Sequence, residues 1–115
     1  MIPVEEEQMK RVGFILKVKQ EKIEEYKEWH RNVWPEVVEA LKRNGWHNYT
    51  LFMRPDGLLF GCFETPENFE AALAGMATEP ANLKWQELMK PYFEALEGKR
   101  PDQSMLELEE VYHHN

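Results

Sequence analysis

The stretch RPDGL, Arg54 to Leu58, constrains the fold more than any other part of the chain, because it lies between two apolar runs. Pro presets a turn-forming φ, Asp hydrogen-bonds the backbone two residues on, and Gly supplies a positive φ. WHNYTLFM (Trp46–Met53) before it and LLFGCFE (Leu58–Glu64) after it are rich in aromatic and aliphatic residues. The two runs therefore read as an antiparallel hairpin. A hairpin at mid-chain leaves an amino-terminal and a carboxy-terminal half, and each half carries strand and helix signals.

In the amino-terminal half, VGFILKV (Val12–Val18) reads as a strand, and a helical pattern runs from about Gln20 to Asn44 with Gly45 as its stop. Ile23, Tyr26, His30, Val33, Trp34, Val37 and Leu41 fall on one stripe at a spacing of about 100° per residue. Pro35 has no N–H and deprives the Arg31 carbonyl of its helical partner, which predicts a kink or break between His30 and Pro35. In the other half, ENFEAALAGM (Glu67–Met76) is helical, with Thr65 as its cap and Pro66 at its first position. A second start at Thr78-Glu79-Pro80 opens a helix to about Leu96. EGKRPDQS (Glu97–Ser104) reads as a loop and MLELEEVYHH (Met105–His114) as the last strand.

The order β-α-β-β-α-β, with the second helix in two pieces, predicts an α+β ferredoxin-like domain: a four-stranded antiparallel sheet with helices on one face. The other face is left partly apolar, which predicts a homodimer of the dimeric α+β barrel type. Met1–Lys10 is polar and acidic and reads as a flexible arm, with Met9 as an alternative start and 11–115 as a single domain.

At 115 residues the chain can bury a core without disulfides or metal. Its net charge of −7, from 14 basic and 21 acidic side chains, repels phosphate backbones, so no nucleic-acid partner is expected. Cys62 is the single cysteine, which precludes an internal disulfide and suits a reducing compartment. No apolar run approaches the roughly 20 residues of a membrane span. MIPVEEEQMK lacks the apolar centre of a signal peptide, and a cytoplasmic location is expected. Phosphate-cradling glycine loops, HExxH, CxxC and EF-hand spacings are all missing, so neither a cofactor nor a metal site is signalled. His113 and His114 read as solvated, with at most a stray surface metal contact, and Cys62 as a small buried hydrophobe.

His30 is harder to place. An imidazole on an apolar face is often a core residue with a satisfied ring nitrogen, and Tyr26, Trp34 and Tyr49 can likewise be core aromatics with partnered tips. A functional account fits the same residues. Strand alternation puts Tyr49 on the side of Leu51 and Met53, where it meets the stripe carrying Tyr26 and His30, and Trp85 packs on that side too. The result is a pocket with aromatic walls and one imidazole, suited to a sugar or another small cyclic ligand and to proton exchange near neutral pH. Pattern alone leaves both accounts open.

The span EEYKEWHRNVWPEVVEALKRNGWHNYTLFM, Glu24 to Met53, closely resembles the L-rhamnose mutarotase family, through YxxxHxxxWPE followed by a helix, Gly and HNY. KWQELMKPYFE (Lys84–Glu94) and LEEVYH (Leu108–His113) resemble it as well, so the likeness covers nearly everything from Arg11 onward. The resemblance implies interconversion of the α and β anomers of L-rhamnose, or a related 6-deoxy sugar, without metal or organic cofactor, by a homodimer of ferredoxin-like subunits. It puts the proton donor on His30 and sugar contacts on Tyr26 and Tyr49. A pair of adjacent tryptophans in better known members falls on Trp85 and Gln86, so the second aromatic wall is replaced here by an amide that can hydrogen-bond a sugar hydroxyl. In the implied chemistry His30 protonates the ring oxygen, while the group that removes the C1 proton is Tyr26, Tyr49 or an ordered water. Two other functions fit the fold: a cofactor-independent monooxygenase, and a non-catalytic sugar-binding domain.

Overall fold

The structure, a computed structural model, describes residues 9–115. The arm expected for Met1–Lys10 lies outside the described residues but for its last two, and Lys10 already opens the first strand. The chain forms β1 (Lys10–Lys17), α1 (Ile23–Arg31), α2 (Pro35–Arg43), β2 (His47–Met53), β3 (Leu58–Thr65), α3 (Phe69–Met76), α4 (Pro80–Met89) and β4 (Leu106–Leu108), with short 3₁₀ turns at Gln20–Lys22, Lys90–Tyr92 and Pro101–Gln103. The four strands form one antiparallel sheet in the order β2-β3-β1-β4. This is the ferredoxin-like split βαβ arrangement.

The hairpin closes as its residues require. Gly57, at φ 99°, returns an N–H to the Arg54 carbonyl at 2.8 Å, and Asp56 accepts from the Leu58 N–H at 3.2 Å. Alternation then sorts the sheet into two faces. Val12, Phe14, Leu16, Leu59 and Phe63 point into the helix layer and are buried. Phe14 is fully buried, stacks on Phe69 at 5.6 Å and lies over Gly61, its cross-strand partner. A Cβ on Gly61 would fall on the Phe14 ring carbons, so the glycine makes room for the largest fully buried side chain.

The break expected between His30 and Pro35 divides the first helical stretch into two helices, because Trp34 takes the extended conformation (φ −54°, ψ 133°) required before proline and Pro35 becomes the first residue of α2. Other expectations are corrected. α3 is capped by Asn68, whose Oδ1 accepts from the Ala71 N–H at 2.8 Å; Thr65 instead ends β3 with its side chain buried. α4 stops at Met89 because Pro91 cannot supply the next helical N–H, although Tyr92, Phe93 and Leu96 beyond it are buried. β4 pairs over only three residues, Gly13 to Ile15 of β1 being its partners. Cys62 is half-buried and shares the outer face with Phe52 and Phe60, away from the core.

That outer face is apolar. Phe52 is 59% exposed and stacks on Phe60 at 6.4 Å, and Leu106 and Leu108 stand beside them on the same side. Among the described residues no helix is long and apolar enough to cross a membrane.

Candidate active site

α1 carries the imidazole. Its first residue, Ile23, and Tyr26 are buried, and His30 follows Tyr26 by one turn, so their rings meet at 4.2 Å. His30 Nδ1 lies 2.8 Å from the Tyr26 carbonyl oxygen. A carbonyl can only accept, so Nδ1 carries the hydrogen, and in the neutral ring Nε2 holds the lone pair. Nε2 has no partner among the described residues, and burial does not seal it off. Burial lowers the His30 pKa below the ordinary value of 6.5, with the Tyr26 carbonyl acting weakly in the other direction. At neutral pH the ring is therefore uncharged and presents a base.

Tyr49 reaches the same place from β2. His47 pairs with Glu64 and Thr50 with Cys62, so β2 spends one residue more than β3 over this interval, and Asn48 takes a left-handed φ of 50°. Tyr49 follows this bulge and alternates inward with Leu51 and Met53. Neither the Tyr26 nor the Tyr49 hydroxyl has a protein partner among the described residues, and burial pushes both pKa values well above 10. Both phenols stay protonated at neutral pH and present O–H groups to whatever enters.

The groups converge on a cavity of about 520 Å³, lined by Tyr26, His30, Tyr49 and Gln86 among apolar side chains that include Phe14, Trp46, Leu51 and Phe93. Its size suits a small ligand. Trp85 is placed differently. It is buried outside the lining and meets the His30 ring edge-on at 5.6 Å, while Trp34 and Trp29 pack edge-on against it at 5.1 Å and 6.2 Å. It backs the imidazole. No group of three His, Cys, Asp or Glu side chains among the described residues is placed to hold a metal ion.

The family model for L-rhamnose mutarotase matches residues 11–114. This chain belongs to the L-rhamnose mutarotase family. It is 38% identical to the L-rhamnose mutarotase of Oceanobacillus iheyensis and 35% identical to that of Bacillus subtilis, in each case over 91% of this chain and 98% of the relative. The crystal structure of an L-rhamnose mutarotase from Formosa agariphila superposes with a TM-score of 0.73 at 27% identity, covering 92% of this chain and 99% of that one.

Placed on the L-rhamnose mutarotase fold, the site draws on residues that sequence reasoning missed. Pro101 and Met105 line the cavity, although Pro101 lies in EGKRPDQS, which reads as a loop, and Met105 opens the expected last strand. Trp29 Nε1 donates to the Tyr92 hydroxyl at 3.0 Å and that hydroxyl donates to Glu25 at 3.2 Å, tying α1 to the turn after α4 and fixing one neighbour of Trp85. The stripe position of Trp29 carries no signal for this, because it lies beside the apolar residues and not among them.

Proposed function

We propose that this chain interconverts the α and β anomers of L-rhamnose, or of a closely related 6-deoxy sugar, with His30 moving the proton in both halves of the reaction. The observation that carries this reading is an imidazole whose Nδ1 is committed to the Tyr26 carbonyl, leaving Nε2 for the ligand in an aromatic-walled cavity. In the pyranose, the C1 hydroxyl and the ring oxygen are bonded to the same carbon, so one nitrogen can serve both. Nε2 takes the C1 hydroxyl proton as the C1–ring oxygen bond breaks, and the resulting imidazolium gives that proton to the departing ring oxygen. The aldehyde turns about C1–C2, and the same steps in reverse close the other anomer. Tyr26, Tyr49 and the spare Gln86 N–H are assigned to sugar hydroxyls, where protonated phenols can donate. Trp85 is assigned to the sugar site through the edge where it meets His30.

The test is saturation-transfer proton NMR on equilibrated L-rhamnose, in which irradiating one anomeric proton depletes the other. Transfer should be fast above about pH 6.5 and fall as pH drops, since protonation removes the Nε2 lone pair. The same sign holds for stability. A folded pKa below the unfolded one contributes stability that is full above the unfolded value and is lost as pH falls through the folded value. An activity limb on the alkaline side alone would count against a neutral His30 as the base.

The reading also assigns a homodimer closed through the outer face of the sheet, supported by the exposed Phe52, Phe60, Leu106 and Leu108. Sedimentation should give twice the 13.7 kDa chain mass for wild type and the single-chain mass for Phe52→Lys with Phe60→Lys. An unchanged mass in the double variant would place the interface elsewhere. A cytoplasmic location is assigned with it, on the unpaired Cys62.

A further inference from the structure

Behind the cavity lies a second, smaller chamber of about 60 Å³, shared by Tyr49, Gln86, Asn82, Asp102 and Met105. Three of these are polar and nearly sealed from solvent: Asn82 is 2% exposed, Asp102 7% and Gln86 8%. Their hydrogen bonds form a closed set. Gln86 Oε1 accepts from the Asp102 backbone N–H at 3.0 Å, and Gln86 Nε2 donates to Asn82 Oδ1 at 3.2 Å. Asn82 Nδ2 donates to the Met76 carbonyl at 3.0 Å and to Asp102 Oδ2 at 3.2 Å, and Arg100 Nε donates to Asp102 Oδ1 at 3.0 Å. Buried polar groups with this degree of satisfaction rigidify what they join. What they join is α4 and the segment from Arg100 to Met105, of which Pro101 and Met105 are cavity wall. The approach to this segment has little regular structure, and Ala95 and Glu97 are held at positive φ.

We propose that Gln86 is a positioning residue: with Asn82 and Asp102 it latches the Pro101–Met105 segment onto α4 and so sets the wall of the sugar cavity. The inference rests on the proposed mutarotase reading for its catalytic readout, but not for its structural one. Since both ends of the Gln86 amide are already engaged, only one N–H is left for a ligand, and the residue acts mainly through the wall.

The experiment compares Gln86→Met, which conserves volume and removes both hydrogen bonds, with Asn82→Ala, whose position does not line the main cavity. Two quantities are measured on each folded variant: hydrogen exchange at the Asp102 amide, and KM and kcat for L-rhamnose exchange. Losing the latch should speed Asp102 exchange about tenfold or more and raise KM by about tenfold in both variants, with kcat changed by less than about threefold. Trypsin cleavage at Lys99–Arg100 should accelerate in parallel, the Arg100–Pro101 bond being resistant. A raised KM in Gln86→Met with wild-type KM in Asn82→Ala would overturn the proposal and make Gln86 a direct sugar contact. Unchanged Asp102 exchange in Gln86→Met would overturn it as well. If wild type exchanges no sugar, the mutarotase reading fails, and the Asp102 amide and the cleavage rate still decide the latch.

Discussion

His30→Ala should reduce kcat/KM for anomer exchange by about 10²–10⁴-fold, the usual contribution of one positioned acid–base group. In the saturation-transfer experiment the variant should then look like sugar without protein. The size follows from the absence of a substitute. Tyr26 and Tyr49 line the same cavity as the imidazole, but burial drives their pKa values up, so neither supplies a base near neutral pH. Gln86 does not titrate. Folding should survive, since His30 is only half-buried and its one backbone bond is to a carbonyl within its own helix. Transfer that persists in His30→Ala would move the proton relay to another group, with Tyr26 the next to replace.

Phe14→Ala should be the most damaging core substitution, costing about 3–5 kcal/mol and lowering Tm by at least about 10 °C. The ring is 0% exposed and touches Phe69, Trp46, Phe63 and Tyr49 at centroid distances of 5.6, 6.5, 6.4 and 6.3 Å. It also lines the 520 Å³ cavity, so the void left behind opens into that cavity and loosens Tyr49. Urea unfolding followed by tryptophan fluorescence measures the loss, and the surviving folded fraction should bind sugar more weakly. The reciprocal change, Gly61→Ala, forces a methyl onto the same ring and should cost about 1–3 kcal/mol. A loss below about 1 kcal/mol in Phe14→Ala would mean that the aromatic cluster repacks around the gap.

The architecture was legible because its signals are local and redundant. RPDG closes the hairpin, Pro35 divides the first helical stretch, and β1 and β3 alternate cleanly, so sheet order followed from topology. The misreadings have physical causes. Thr65-Pro66 has the right residues for a cap, but Thr65 is drawn into β3 by pairing with Lys10, and Asn68 caps instead. The apolar period continues past Met89 through Tyr92, Phe93 and Leu96, because those residues are indeed buried, while Pro91 has already ended the helix. MLELEEVYHH alternates as a strand should, yet only three of its residues find partners on β1. At the site, Tyr26 and His30 were legible from helical spacing. Asn82 and Asp102 were not, since a buried polar set joined across twenty positions leaves no periodic trace.

The bulge in β2 has a consequence for how this site can change. Trp46 and Tyr49 are three residues apart, which in a regular strand sets them on opposite faces, yet one surplus residue and the left-handed turn of Asn48 let their rings meet at 5.1 Å on the inner side. Straightening the strand at its present length would turn either Trp46 or Tyr49 to the opposite face while Leu51 and Met53 stayed in place. The site is thus written in backbone conformation as well as residue type, and it should be sensitive to any replacement at Asn48 that disfavours a left-handed φ. Anyone transplanting it onto another ferredoxin-like sheet must carry the irregular strand along with the side chains.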